Sequence, residues 1–269
     1  MQENRGDSGE IIMDFAFNTK LVTNYHSNSQ KTRILTEDWT ERNLYCPICG
    51  RPYISRYENN HPTGDFYCNN CSSDFELKSK EKHSARLMKT IVDGEYLTMI
   101  SRITSFRNPN FFFMTYNNYE VTNFLLIPNH FFTPSIIIKR NPLSSTAKRA
   151  GWIGCNIDIS SIPDTGKIFI VKNQEEINHD EVIQKYAKTK ALLTKNLDAR
   201  SWLLDTLKCV DKISNLDFTL NQIYAFEEEL KQKHPDNNFI KDKLRQQLQI
   251  LRDKGYIEFT RRGHYKKII

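Results

Sequence analysis

The sequence predicts a two-domain chain of mixed α/β class, in which a domain built on a mixed sheet is followed by a small helical domain that ends in a hairpin. Three observations support this. The length of 269 residues fits one large or two modest domains. Four of the six cysteines form two close pairs, as in a zinc-braced fold. Helical and β-rich patterns alternate up to about residue 195, and helices dominate afterwards.

The composition excludes several classes of protein. With 39% hydrophobic and 26% charged residues, the chain is neither disordered nor fibrous. The net charge of +6 is basic but too mild to identify a partner. The polar N-terminus and the interrupted apolar stretch over 111–132 predict neither a signal peptide nor a membrane span, so a cytoplasmic protein is expected. Residues 1–14 are predicted to be a flexible extension, with Met13 as an alternative start; a frayed terminus explains them equally well.

The first domain, assigned to residues 15–195, is predicted to begin with a helix over 27–45, capped by Thr32 or Ser29. Its apolar stripe comprises Ile34, Leu35, Trp39 and Leu44.

Two β-rich segments, 110–115 and 121–127, then predict a hairpin-type strand pair, and residues 167–172 predict another strand. Residues 174–196 are polar, with helical character over 181–190, and are interpreted as the linker.

The cysteine spacing points to a metal. Two Cys-x2-Cys turns separated by eighteen residues contain Cys46, Cys49, Cys68 and Cys71. This spacing is typical of a Zn²⁺ site, and four thiolates close a tetrahedral shell, which favours a structural role. Gly50 and the Asn69-Asn70 pair suit the turns. Disulfides are disfavoured in a reducing compartment, a redox pair would not need four cysteines, and Cys155 and Cys209 receive no role.

An acidic cluster surrounds the second cysteine turn. Strand-forming residues on both sides of that turn predict that Asp65 and Glu76 lie on adjacent strands, and period-two alternation sends Glu76 and Lys78 to one face. Two carboxylates and a lysine suit metal-dependent phosphodiester hydrolysis. Carboxylate oxygens hold Mg²⁺, the ion activates water, and the lysine orients that water or offsets developing charge. The alternative is a solvated strand face with an ion pair.

The Asp…Glu-x-Lys pattern resembles the PD-(D/E)xK nuclease signature, with Gly64 where that motif usually has proline. The segment GDFYCNNCSSDFELKSK (64–80) resembles the DpnI family of methyl-dependent restriction endonucleases. Further matching stretches, in the same order, are SNSQKTRILTEDW (27–39), NPNFFF (108–113), AKRAGWIGCNID (147–158) and IKDKLRQQLQILRDKGYIEF (240–259). The resemblance covers nearly the whole chain from about Asn18.

The resemblance implies a PD-(D/E)xK core and a monomer that cleaves double-stranded DNA at GATC when the adenine is N6-methylated. It implies Asp65 and Glu76 as Mg²⁺ ligands, Lys78 as the catalytic lysine, and the four paired cysteines as Zn²⁺ ligands. The loop 139–158 is basic and contains a tryptophan, which suits phosphate and base contacts. Arg149 and Trp152 are its candidates for DNA contact. A core-capping Trp152 on a solvated loop is the alternative.

The second domain, assigned to residues 196–269, has helical patterns over 201–213, 218–233 and 238–254, followed by a hairpin. Thr219 is the expected N-cap of the second helix and Gly255 the C-cap of the third. Three helices and a hairpin predict a winged helix, whose third helix enters the major groove.

The basic charge concentrates at the end of the chain. Residues 239–267 hold nine Lys and Arg against three Asp and Glu. Helix residues expected to point away from the apolar stripe towards bases are Lys241, Lys243, Arg245, Gln246 and Gln247. Hairpin residues expected to meet phosphates include Arg261, Arg262 and His264. A solvated helix face is the alternative, and a DNA-binding regulator without cleavage is the second function considered.

Overall fold

The computed structural model describes residues 13–59, 61–83, 87–105 and 108–268. Its helices are α1 (Asn28–Asn43), α2 (Tyr96–Thr104), α3 (His179–Thr189), α4 (Leu197–Lys212), α5 (Leu220–Tyr224), α6 (Glu227–Lys233) and α7 (Ile240–Asp253). Its strands are β1 (Ser55–Arg56), β2 (Phe66–Tyr67), β3 (Asp74–Glu81), β4 (Thr90–Glu95), β5 (Asn110–Asn117), β6 (Glu120–Ile127), β7 (Ile137–Lys139), β8 (Gly154–Asp158), β9 (Ile168–Lys172), β10 (Glu175–Glu176), β11 (Asp217–Thr219), β12 (Ile257–Arg261) and β13 (His264–Lys267). Among the described residues, no helix has the length and apolar character needed to cross a bilayer.

The chain divides into two compact units that do not follow chain order. The first contains the chain through Leu87 together with Pro109–Pro128 and Ile168–Ala187, and the second contains Met88–Asn108, Asn129–Lys167 and Lys188–Ile269. The division at residue 195 that the sequence suggests remains a prediction.

A seven-stranded sheet forms the centre of the first unit, in the order β1-β2-β3-β5-β6-β9-β10. Strands β3 and β5 are parallel and the other neighbours are antiparallel, which confirms the predicted mixed sheet. The β5–β6 hairpin is confirmed as well. Its two-residue turn places Asn118 and Tyr119 at φ 48° and 64°, the left-handed values that a tight hairpin turn requires.

Aromatic side chains link helix α1 to this sheet. The rings of Phe75 on β3 and Phe112 on β5 stack with centroids 4.5 Å apart. Phe112 and Phe124 follow at 5.1 Å, and Trp39 of α1 contacts Phe124 at 5.5 Å. All four side chains are buried. This packing fixes α1 against β3 and therefore also fixes where the polar side chains of α1 lie.

The structure corrects two expectations near the N-terminus. Helix α1 begins at Asn28 with Ser27 at the N-cap position, so neither Thr32 nor Ser29 caps it. Residues 1–12 of the expected extension lie outside the described residues, but Met13 is buried in the core. The carbonyl of Asp14 accepts a hydrogen bond of 2.6 Å from Trp39 Nε1. An apolar side chain and a buried indole donor tie this segment down.

The segment interpreted as a linker is also different. Helix α3 belongs to the first unit, and Val182 is fully buried in its core, with Ile177 and Tyr186 packed beside it. A single apolar stripe on an otherwise charged helix is enough to dock it. The polar composition of residues 174–196 concealed that stripe.

The second unit contains a three-stranded sheet, β4-β8-β7. Strand β8 pairs antiparallel with both neighbours. Helix α2 follows β4 directly, and the carboxylate of Glu95 caps it by accepting hydrogen bonds from the N–H groups of Leu97 and Thr98.

The C-terminal part of this unit is a winged helix, as predicted. Helices α4 to α7 accompany the sheet β11-β13-β12, and Thr219 forms a capping box with Gln222 at the start of α5. The helix predicted over 218–233 is broken into α5 and α6 around Ala225 and Phe226. Three glutamates fill the first turn of α6, where negative charge favours a new helix N-terminus.

A buried carboxylate connects α4 to the last residue of α6 and to the C-cap residue that follows it. Asp205 accepts hydrogen bonds from Lys233 at 2.6 Å and from His234 at 3.0 Å, and the His234 ring stacks on Trp202 with centroids 3.8 Å apart. Burial opposes ionisation of Asp205, but the hydrogen bond with His234 and the charge of Lys233 outweigh it, so the pKa of Asp205 lies below its ordinary value.

We expect Asp205→Asn to lower the free energy of unfolding by about 3 kcal/mol, because Lys233 loses its buried counter-charge. Since the folded-state pKa is depressed, the wild type gains stability above the unfolded pKa of about 3.9 and loses it as the pH falls through the folded value. The variant should lack this acid-dependent component.

Urea unfolding between pH 3 and pH 7 measures both effects. The exposed Asp253, which pairs with Arg252 at 2.8 Å, supplies the control Asp253→Asn, with a change below about 0.5 kcal/mol. Equal effects at the two positions would contradict the role assigned to Asp205.

Candidate active site and nucleic-acid surfaces

The four paired cysteines converge on one point. Their sulfur atoms all lie within 4.8 Å of one another, and within the described ranges they are the group that could hold a metal ion. The Sγ atoms of Cys46 and Cys71 are 3.7 Å apart, and those of Cys49 and Cys68 are 3.6 Å apart. A tetrahedral zinc with 2.3 Å bonds requires sulfur–sulfur edges of about 3.8 Å. The donor set and spacing therefore fit Zn²⁺.

Both cysteine turns have the same backbone shape. In each, the residue after the second cysteine adopts positive φ, at 76° for Gly50 and 54° for Ser72. Its N–H donates to the carbonyl of the first cysteine at 2.9 Å in both turns. The expectation for Gly50 is confirmed, whereas the expectation for Asn69-Asn70 is wrong, because the closing position is one residue past Cys71.

The hairpin that contains the second turn positions Asp65 beside strand β3. The Asp65 N–H donates to the Phe75 carbonyl at 2.9 Å, and its Oδ2 accepts from the Leu77 N–H at 2.7 Å. A Cβ at Gly64 would lie 2.7 Å from the Phe75 carbonyl oxygen. In this backbone a proline would therefore collide with β3, which gives a physical reason for the departure from the usual motif.

The three residues predicted to be catalytic line one cleft of about 570 Å³. Lys78 Nζ lies 2.6 Å from Glu76 Oε1, so these side chains share a face as expected, and Asp65 lies in the same cleft. Burial raises the pKa of Asp65; the Leu77 N–H opposes this shift, and the nearby carboxylates of Glu76 and Glu37 add to it. A cation bound here would offset that concentration of negative charge.

The cleft also contains residues that the sequence reasoning missed. Arg33 and Glu37 of α1 line it, and Glu37 is only 6% exposed. Its two oxygens lie 2.6 Å from Arg33 Nε and 3.6 Å from Arg56 Nη1. The i, i+4 spacing of Arg33 and Glu37 was a local signal for an ion pair. Their position beside Asp65 was not visible without the fold.

The loop before β8 brings its two candidate residues together. The Arg149 guanidinium lies over the Trp152 ring, 4.3 Å from its centroid, and the six-membered part of the ring packs so close to Gly154 that a Cβ there would lie 2.8 Å from it. Trp152 is half-buried and Arg149 is exposed. The loop is braced where the Leu143 N–H donates to the Trp152 carbonyl at 2.9 Å.

Helix α7 presents only part of the face that was expected. Lys241, Arg245 and Gln246 are exposed, although Lys241 pairs with Glu227 at 3.0 Å and Arg245 pairs with Asp242. Lys243 is half-buried, with Nζ 5.8 Å from the Trp202 ring.

Gln247 is a correction, because only 2% of it is exposed. It falls beside Leu244 and Leu248 on the packed side of the helix, so it does not lie on a surface that could meet DNA.

The hairpin β12–β13 extends from α7 as the wing. Arg261 and Arg262 are exposed and His264 is half-buried on β13. A further aromatic residue, Phe239, precedes α7 at its N-cap position and is 71% exposed. It was not among the surface residues that the sequence singled out, and its exposure is visible only in the folded chain.

A mixed α/β unit with a carboxylate–lysine cleft and a winged helix with a basic wing define a DNA-binding protein whose cleft suits phosphate chemistry. Residues 13–195 match the Dam-replacing family, DpnI, and residues 198–267 match the Dam-replacing HTH domain of the same family. The chain therefore belongs to the DpnI family. Membership implies a methylation-dependent restriction endonuclease with a DNA-binding helix-turn-helix domain.

Purified chain should contain about one Zn²⁺ per molecule, and Cys68→Ser should lose the metal together with folded stability, because metal binding contributes folding free energy. Metal analysis and thermal melting measure the two effects. The variant Cys155→Ser, at a buried cysteine outside the cluster, should retain the zinc. A fully folded, zinc-free wild type would refute the assignment.

Proposed function

We propose that this protein hydrolyses phosphodiester bonds of double-stranded DNA at GATC sites that contain N6-methyladenine, in an Mg²⁺-dependent reaction. The observation that supports this most strongly is the convergence of Asp65, Glu76 and Lys78 in one cleft, on a hairpin whose loop bears two of the four clustered cysteines. A PD-(D/E)xK core is the framework that fits these three residues. The methyl dependence and the GATC site come from the resemblance to the DpnI family.

The donor set of the cleft fits Mg²⁺. Asp65 and Glu76 offer hard carboxylate oxygens, and both side chains line the same opening. Such oxygens are the protein ligands that Mg²⁺ prefers, so these two side chains would hold the ion. When bound, the ion would supply Lewis-acid chemistry, polarising the phosphoryl oxygen and lowering the pKa of a water molecule.

The protein groups complete the chemistry. Glu76 holds the Lys78 ammonium at 2.6 Å, so the lysine is positioned to orient the attacking water and to offset the charge that develops on the phosphate. The water loses a proton to solvent as its oxygen forms a new bond to phosphorus, one ester P–O bond breaks, and the leaving oxygen takes up a proton from solvent. Asp65, which lines the cleft, is fixed in place by the Leu77 N–H.

Recognition is assigned to the second unit. Arg245 and Gln246 on α7 face solvent with donors and acceptors suited to base edges, and Arg261 and Arg262 on the wing suit phosphates. Arg149 and Trp152 are proposed as a further contact with the target. We propose a monomer as the active form, because a chain with two DNA-binding regions does not need a symmetric partner to read its site.

Incubation with Mg²⁺ and plasmid from Dam-methylating and non-methylating hosts tests the activity. Only the methylated plasmid should be cut, and Glu76→Gln should reduce the cleavage rate by roughly 10³-fold or more, as expected when charge stabilisation in the transition state is lost. DNA binding by this variant should remain, because the winged helix is unchanged.

Asp74→Asn is the matched control, since Asp74 lies on the same strand but bonds to the Tyr57 hydroxyl at 2.8 Å. The Asp74→Asn variant should cleave the methylated plasmid at the wild-type rate. Cutting of both plasmids would remove the methyl dependence, and binding without cleavage under any divalent metal would favour a DNA-binding regulator.

Two adjacent glutamines test the surface of α7. Gln246→Ala should reduce discrimination between the target and a mismatched site by about 1–3 kcal/mol with little change in melting. Gln247→Ala, at the buried position, should lower the melting temperature and leave discrimination unchanged.

On the wing, Arg262→Ala should weaken binding to all duplexes alike and reduce the salt slope by about one. Fluorescence anisotropy at several salt concentrations distinguishes these outcomes.

A further inference from the structure

The negative charge around the cleft is not balanced by the three proposed catalytic residues, of which only Lys78 is a cation. Four carboxylates, those of Glu37, Asp65, Glu76 and Glu81, line one opening, whereas a DNA strand brings further negative charge. The ammonium of Lys78 lies against Glu76 at 2.6 Å. Bound metal offsets part of this charge, but the phosphates on either side of the cut also need a cation.

Besides Lys78, the described cations that line the cleft are Arg33 and the exposed Lys80, and Arg33 is the one that two neighbouring side chains hold in place. Its Nε donates to Glu37 at 2.6 Å and its Nη2 donates to Asn59 at 3.0 Å. Within the described part of the chain these contacts use two of the five N–H groups of the guanidinium, which leaves donors for a phosphate. Arginine binds phosphate through two parallel hydrogen bonds, and a side chain anchored in advance loses less entropy on binding.

Glu37 provides the anchor. A carboxylate that is only 6% exposed is costly to bury unless cations accompany it, and Arg33 and Arg56 do so from two directions. Its position on α1 is fixed by the aromatic packing of that helix on the sheet. An ordinary surface ion pair has neither a buried carboxylate nor a second arginine that shares it.

We propose that Arg33, held by the buried carboxylate of Glu37, binds a backbone phosphate of the DNA strand that enters the cleft of Asp65, Glu76 and Lys78. Arg33 is the phosphate-binding residue, and Glu37 is a positioning residue that acts through it. This inference rests on the nuclease function proposed above.

Helix α1 itself contains the matched control. Arg42 pairs with Asp38 at 2.9 Å in the same i, i+4 relation, and its side chain is 38% exposed compared with 41% for Arg33. Arg42 does not line the cleft. A structural ion pair would respond alike at the two positions, whereas a phosphate contact would respond only at Arg33.

The test measures affinity for a methylated GATC duplex by anisotropy in Ca²⁺, which accepts the same oxygen ligands as Mg²⁺, and cleavage rates in Mg²⁺. Arg33→Ala should weaken binding roughly tenfold, as expected for one charge-assisted contact, and reduce the salt slope by about one. Arg33→Lys should recover part of the loss. Arg42→Ala should match the wild type in affinity, slope and rate.

A double-mutant cycle tests the positioning role of Glu37. If Glu37 positions Arg33, then Arg33→Ala should weaken binding by a smaller factor in a Glu37→Gln background than in the wild type. Independent, multiplicative effects would contradict the positioning role. Melting temperatures of all variants identify any general loss of structure, and Arg33→Lys keeps the test decisive if Arg33→Ala does not fold.

The two proposals fail in distinguishable ways. If the wild type cuts methylated DNA while Arg33→Ala binds and cuts as the wild type does, the phosphate contact is wrong and the nuclease function stands. If the wild type cuts no DNA but Arg33→Ala still weakens binding with a reduced salt slope, the catalytic proposal is wrong and the contact stands. Equal losses for Arg33→Ala and Arg42→Ala would overturn the contact.

Discussion

The position of the site residues depends on the hairpin between β2 and β3. Strand β2 is only two residues long, and a ribbon this short is marginal by itself. Two devices hold it. The loop at one end contributes two cysteines to the four-sulfur cluster, and at the other end Asp65 is bonded to β3 through its backbone N–H and through its side chain. The interactions that form the hairpin therefore also fix the position of the Asp65 carboxylate.

Charge in the cleft connects this hairpin with helix α1. A cluster of carboxylates is unfavourable without cations, and the structure supplies them in pairs, Lys78 with Glu76 and Arg33 with Glu37. The position of the second pair depends on Trp39, which locks α1 against the sheet through Phe124. Packing of apolar rings therefore sets the distance between polar groups, which is how a hydrophobic core contributes to an electrostatic site.

In the winged helix, α7 packs against the core with one face and carries the proposed recognition residues on the other. Leu244 and Leu248 of α7 are fully buried, whereas Arg245 and Gln246 face solvent. The division between the faces is sharp, since Gln246 and Gln247 are adjacent and only the first is exposed. At about 100° per residue, the edge of the buried stripe decides which polar side chain faces solvent.

Features encoded by near neighbours were determined by the sequence alone. The cysteine spacing, the Asp…Glu-x-Lys register, the β5–β6 hairpin and the Thr219 cap depend on periodicity and turn chemistry over a few residues. Tertiary structure decided the rest. Glu37 lies beside Asp65 although the two residues are 28 positions apart in the chain. Helix α3 docks on the core through one narrow apolar stripe. Gln247 is buried because it lies at the edge of the packed face of α7, and the helical period alone does not locate that edge. Such outcomes depend on which surfaces meet, and that information is absent from any local window of the chain.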